Sequence, residues 1–179
     1  IEVRQLAEGI YQATGQANSH LIVTAEGNVV FDTGLRTESV KQRKLLRRIN
    51  DKPVSYILLS QAHRDHVGGE RYWREKETKV IASQYFSETQ HYYKALEPYF
   101  WQREKALSPW LAEQAPKAKM LAYGGIKPDI VVSEGEYVFE LSGERFEVLA
   151  TPGSEGEDSI SLWLPERKIL FSGDLFGEE

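Results

Sequence analysis

The stretch Leu58-Leu59-Ser60-Gln61-Ala62-His63-Arg64-Asp65-His66-Val67-Gly68-Gly69 constrains this chain more than any other. Two of the four histidines and an aspartate fall within four positions there. They follow a short apolar run, Val54 to Leu59, whose β-branched and aromatic members read as a buried strand. Gly68-Gly69 then lets the backbone turn before the charged segment from Glu70. Imidazole nitrogens and a carboxylate presented from a strand end can converge on one divalent cation, and these donors suit zinc, iron or manganese. The plain alternative is a polar surface loop with two ordinary histidines, which a lone His-x-x-His would favour.

Composition narrows the donor set. With no cysteine, any metal must be held by His, Asp, Glu or water, and there is neither a disulfide framework nor a thiol nucleophile. A length of 179 residues with 41% hydrophobic content suits one domain over residues 1–179. The net charge of −5 gives no basic footprint for nucleic acid, and the cations between Lys41 and Arg48 are broken by apolar residues at helical spacing. No apolar run approaches membrane-spanning length and no signal peptide is visible. A soluble chain is expected, with the compartment open between cytoplasm and periplasm.

Along the chain, Asn18 to Val23 and Val29 to Phe31 read as paired strands around a turn at Glu26-Gly27-Asn28. His20 in the first reads as a packed or edge histidine rather than a ligand. Glu38 to Asn50 reads as an amphipathic helix with Val40, Leu45, Leu46 and Ile49 on its inner face. Lys79 to Ala82 reads as another buried strand. The segment 84–122 departs from this rhythm: aromatics such as Tyr85, Tyr93, Tyr99, Phe100 and Trp110 crowd it, and Pro98, Pro109 and Pro116 divide it. Short helices are predicted there, capping the core, lining an apolar substrate channel or forming a dimer contact. Asp129 to Val132, Tyr137 to Leu141 and Phe146 to Ala150 read as a β-meander, with two further strands at Ser159 to Leu164 and Ile169 to Phe171.

Beyond this reading, the string His63-Arg64-Asp65-His66-Val67-Gly68-Gly69 resembles the His-x-His-x-Asp-His-x-Gly-Gly motif of the metallo-β-lactamase superfamily, with Gln61 at its first position. Asp32-Thr33-Gly34, Thr151-Pro152-Gly153 and Ser172-Gly173-Asp174 resemble further family motifs and occur in family order. The resemblance implies an α/β (α+β) fold, a four-layer αββα sandwich or one short of its C-terminal part, with Asp32 bracing the metal loop. It implies one or two zinc ions, with iron or manganese as alternatives, held by His63, Asp65, His66 and a bridging Asp174. Gln61 offers an amide oxygen, a weaker donor than imidazole. Ser154 stands where most members have histidine, but Glu155 follows it; the alkylsulfatase branch is similar, with a glutamate ligand there and its bridging acid at the spacing from Glu155 to Asp174. Glu179 comes before any late histidine, so the expectation is either a truncated sequence or a site completed by another chain or solvent.

The resemblance further implies a zinc-dependent hydrolase acting on a small molecule, in which a metal-bound hydroxide oriented by Asp65 attacks an ester. Glu155 and the aromatic segment lean towards sulfate esters of apolar alcohols. A lactamase-like or lactone-cleaving hydrolase is the alternative. From another class, the chain would be a degenerate, non-catalytic binding module. The aromatics of 84–122 are expected either over the metal cleft or against a second copy of the chain in a homodimer, since a cluster such as Tyr99-Phe100-Trp101 would otherwise leave an apolar patch.

Overall fold

Paired apolar residues in the central strands set the layering. Because successive strand residues face opposite sides, Leu21/Ile22, Val29/Val30, Ile57/Leu58 and Val80/Ile81 each send one side chain to each of two cores. The structure, a computed structural model, describes residues 1–107, 125–153 and 155–176, apart from the side chains of Trp101 and Glu104. The first sheet runs in spatial order β1 (Val3–Ala7), β2 (Ile10–Ala13), β3 (Ser19–Val23), β4 (Asn28–Phe31), β5 (Val54–Leu58), β6 (Lys79–Ser83) and β7 (Ile130–Val132). Pairing is antiparallel from β1 to β4 and parallel from β4 to β7. The second sheet is antiparallel, in the order β11 (Ile169–Phe171), β10 (Ile160–Leu164), β9 (Glu144–Ala150), β8 (Glu136–Leu141).

The sheets face each other across Phe31, Leu58 and Ile81 on one side and Phe146, Leu162 and Phe171 on the other. Phe139 and Phe146 stack there at 4.8 Å between centroids. On its other face the first sheet packs under α1 (Arg36–Arg47), α3 (Glu70–Trp73) and the start of α4 (Phe86–Leu107), through Leu46, Trp73 and Phe86. The short α2 (Arg64–Val67) precedes α3. The described residues thus form the α, β and β layers of the expected sandwich. No helix among them is long and apolar enough to cross a membrane.

Four local expectations are corrected. The meander splits: β7 joins the first sheet in parallel with β6, while β8 and β9 pair in the second. An apolar alternation satisfies either sheet, so sequence does not choose between them. Helix α1 buries Ser39, Gln42 and Leu46, while Val40 and Ile49 are exposed. The reason is the polar backbone beneath it: Gln42 Nε2 donates to the carbonyls of Ala17 (3.0 Å), Ala13 and Thr14 (both 3.3 Å), and Gln42 Oε1 accepts from Ser19 Oγ at 3.3 Å.

Gly68 and Gly69 have φ of −60° and −97°, which any residue adopts. They are glycine because of crowding. A Cβ on Gly68 would lie 2.3 Å from Arg36 N, and one on Gly69 2.2 Å from Thr33 O and 2.5 Å from Ser39 Cβ. Finally, Pro98 does not divide α4, which runs through it. Pro98 is exposed, so water can take the carbonyl its ring leaves unpaired. The remainder of the aromatic segment, 108–124, lies outside the described residues.

Gln42→Ala should cost about 3 kcal/mol in chemical denaturation, since it strands buried carbonyls and not only a hydrogen bond. Gly69→Ala should cost about 2–3 kcal/mol by the same measurement, because its contact is with backbone that cannot rotate aside. A neutral Gly69→Ala would mean that α1 is not seated on the loop as described.

Candidate metal centre

The loop after β5 is held from both sheets. From the first, Asp32 sits at φ 56°, a left-handed conformation that Asp tolerates better than most residues. Its carboxylate accepts from Ser60 N (2.8 Å), Ser60 Oγ (2.7 Å) and His66 Nδ1 (2.7 Å). Thr33 N and Oγ1 both donate to His66 O at 2.8 Å. Asp32-Thr33-Gly34 therefore orients His66 with Nδ1–H to Asp32 and Nε2 facing the opening. From the second sheet, Asp158 accepts from Ala62 N at 2.7 Å and from the Thr89 side chain on α4, and Ile160 N donates to Ser60 O at 2.9 Å. Burial pushes the Asp158 carboxyl above its usual range, partly offset by the Ala62 N–H.

All six sequence-predicted residues meet at the mouth of this loop. His63, Glu155 and Asp174 each place one donor atom within 4.8 Å of the others, with His63 Nδ1 3.0 Å from Glu155 Oε2. The His63 and His66 rings are 6.5 Å apart. His66 Nε2 lies 3.0 Å from Asp174 Oδ2 and 3.9 Å from Asp65 Oδ2. Gln61 is 2% exposed, and it is its nitrogen that faces the cluster: Nε2 donates to Asp174 Oδ2 at 2.6 Å and lies 3.2 Å from His66 Nε2. Its Oε1 is buried without a hydrogen-bond partner among the described residues.

The electrostatics are those of a pocket short of positive charge. Burial alone would lower the His66 pKa, but Asp32, Asp174 and Asp65 outweigh it and raise the pKa to about 11. Asp174 is held below the usual carboxylate range, chiefly by its hydrogen bond from His66. Mixed imidazole and carboxylate donors, a proton retained among carboxylates and an orphaned amide oxygen beside them all fit a divalent ion.

Beside the cluster lies an open cleft of about 570 Å³, reached by Asp32, His66, Glu155 and Asp174 at one end. Its apolar wall is made by Leu6, Ile169, Leu170, Phe171 and Phe176, not by α4. His20 lines it, with its ring against Phe171 at 5.3 Å and its pKa lowered by burial. An aromatic side chain of α4 reaches the centre where the Tyr93 hydroxyl hydrogen-bonds His63 Nε2. Ser60, Asp158 and Tyr93 are the site residues that sequence did not single out. Asp158, three positions after Glu155, is the one whose place in the chain could have flagged it.

Comparison with known proteins gives the family and the fold. Residues 13–179 match the family model described as the metallo-beta-lactamase superfamily. Acyl-coenzyme A thioesterase MBLAC2 of Bos taurus is 28% identical over 95% of this chain and 62% of that protein. Alkyl/aryl-sulfatase BDS1 of Saccharomyces cerevisiae is 24% identical over 93% of this chain and 29% of that protein. Among solved structures, the inverting sec-alkylsulfatase Pisa1 of a Pseudomonas species superposes with a TM-score of 0.76 at 21% identity, covering 94% of this chain and 30% of that one. The chain thus spans less than two thirds of these relatives. A family model that matches residues 13–179 of the chain, on a fold shared with solved members, places the chain in the metallo-β-lactamase superfamily.

Proposed function

We propose that this chain carries a metal-dependent hydrolase centre for ester-type substrates, with alkyl sulfates as the favoured class. The observation that carries it is the convergence of His63, Glu155 and Asp174 within 4.8 Å, beside His66, Asp65 and Gln61. His63, Glu155 and Gln61 would hold one ion, Asp65 and His66 a second, with Asp174 between. Gln61 would serve through Oε1 once its amide turns over, since Nε2 now faces the cluster and Oε1 lacks a hydrogen-bond partner among the described residues. A divalent ion in this pocket, zinc being the one these donors suit best, supplies Lewis acidity: it lowers the pKa of a nearby water and polarises the scissile bond.

The chain's own residues do the rest. Asp32 holds the His66 ring with Nε2 outward, and Asp158 fixes the backbone at Ala62 so that His63 faces Glu155. Asp65, a quarter exposed at the opening, orients the attacking water and receives its proton. The apolar wall of Leu6, Ile169, Leu170, Phe171 and Phe176 takes the apolar part of the substrate and keeps water from that side. Glu155 following Thr151-Pro152-Gly153, together with the similarity to an alkyl/aryl-sulfatase, supports the sulfate-ester reading. The similarity to an acyl-coenzyme A thioesterase supports thioesters as the second reading, on the same apolar wall.

Zinc titration of the parent, Gln61→His and Asp65→Ala tests the centre. Gln61→His should bind about 10- to 100-fold more tightly and Asp65→Ala at least as much more weakly. Equal affinity in all three would sink the assignment. With zinc supplied, inorganic sulfate should be released from a linear long-chain alkyl sulfate faster than thiol from an acyl thioester or acid from a lactone. The reverse order transfers the proposal to the faster substrate. No turnover of any, with zinc bound, would leave a non-catalytic binding module.

A further inference from the structure

We propose that Tyr93 is a positioning residue for the metal centre: its phenol holds His63 by Nε2, so that the ring keeps Nδ1 turned to the cluster and the Nε2–H tautomer that metal binding needs has a partner. This rests on His63 being a metal ligand, as proposed above. The observations are three. The Tyr93 hydroxyl hydrogen-bonds His63 Nε2, the nitrogen turned away from the cluster. The two rings are in contact, with centroids 4.8 Å apart and planes inclined at 45°. On its other side, His63 Nδ1 lies 3.0 Å from Glu155 Oε2, inside the group of donors shared with Asp174.

A neutral imidazole has one N–H, and the partner of one ring nitrogen decides what the other can do. Only with the proton on Nε2 does Nδ1 turn a lone pair towards Glu155 and Asp174. A hydroxyl both donates and accepts. With a metal at Nδ1, the Tyr93 oxygen accepts the Nε2–H. Without one, Nδ1–H donates to Glu155, and the Tyr93 O–H rotates to donate to Nε2. The ring proton count is unchanged: one proton leaves Nδ1 and one arrives at Nε2 through solvent. His66 differs, because its Nδ1 faces the Asp32 carboxylate at 2.7 Å, which only accepts, and so keeps one orientation throughout.

Tyr93 is well placed for this role. It lies on the inward stripe of α4, one turn after Gln90, whose amide exchanges hydrogen bonds with Ile126 O (3.0 Å) and Ile126 N (3.2 Å). Phe86 anchors the same stripe in the core. The phenol is thus held by the helix and not by the loop it serves.

The test is zinc titration of the parent, Tyr93→Phe and His63→Ala, with ¹⁵N–¹H spectra of the histidine rings before and after zinc. Tyr93→Phe keeps the aromatic packing and removes only the hydroxyl. It should bind zinc about 10- to 100-fold more weakly, with the His66 signals unmoved. In the zinc-loaded parent, His63 should show Nε2–H alone, since Nδ1 is then taken; in zinc-loaded Tyr93→Phe, a fraction of the rings should turn over, bind through Nε2 and show Nδ1–H. If His63→Ala weakens zinc binding but Tyr93→Phe matches the parent in affinity and tautomer, the role assigned to Tyr93 is overturned and the metal centre stands. If His63→Ala binds zinc like the parent, the metal reading of His63 fails, and this inference with it.

Discussion

Two buried carboxylates grip the loop after β5 from opposite sides, and the rest of the site depends on that grip. Asp32 takes Ser60 N, Ser60 Oγ and His66 Nδ1; Asp158 takes Ala62 N. Both residues are 3% exposed or less, where an unpaired carboxylate would be costly, so each satisfied contact favours one loop geometry over its neighbours. Because Asp32 directly follows β4 in the first sheet and Asp158 precedes β10 in the second, the loop is fixed by the packing of the sheets on each other. The core of Phe31, Phe146, Leu162 and Phe171 therefore positions the donors as well as stabilising the fold.

The same packing explains the small residues around the loop. Gly68, Gly69 and Ser39 let the start of α1 and the Thr33 carbonyl approach the loop closely. Thr33 uses that proximity to bond the carbonyl of His66. A larger residue at either glycine would move α1 or the loop, and with it the register between Asp32 and His66. The glycines are thus a packing requirement in the service of a hydrogen-bond network.

Much of this was legible in the sequence, for a chemical reason. Metal chemistry demands particular residue types at tight spacing, so His63, Asp65 and His66 stood out; Glu155 and Asp174 came only from the resemblance to later family motifs, and the fold brings all five together. Apolar runs marked β4 and β6, because burial on both faces leaves little choice of residue, whereas β1, exposed along its middle, carried no such mark. What sequence did not carry was tertiary. The inner face of α1 holds Gln42 and Ser39 because the backbone beneath it needs donors, and hydrophobic periodicity points to the wrong side. Tyr93 looked like any other aromatic in its segment, since only the fold brings it to a histidine 30 residues earlier. Asp158 likewise acts on backbone 96 residues away.

Gln61 shows how one substitution changes a centre in two ways. As a donor, a neutral amide oxygen is weaker than imidazole. As a hydrogen-bonding group, the amide also has an N–H₂ that imidazole lacks, and here it donates to Asp174 Oδ2 at 2.6 Å. That hydrogen bond adds to the positive charge of His66, whose pKa the surrounding carboxylates raise, in stabilising Asp174. An incoming ion must therefore break an interaction as well as form one. Hydrogen bonds to a charged group contribute about 1.5–3 kcal/mol, equivalent to roughly 10- to 150-fold in affinity, and Asp174, with its side chain 42% exposed, puts this one at the lower end. Competition from the Gln61 amide is thus comparable in size to the loss of a strong donor. In the proposed centre it would act on Asp174, placed between the two half-sites, so the weakness of the first would be felt by the second as well.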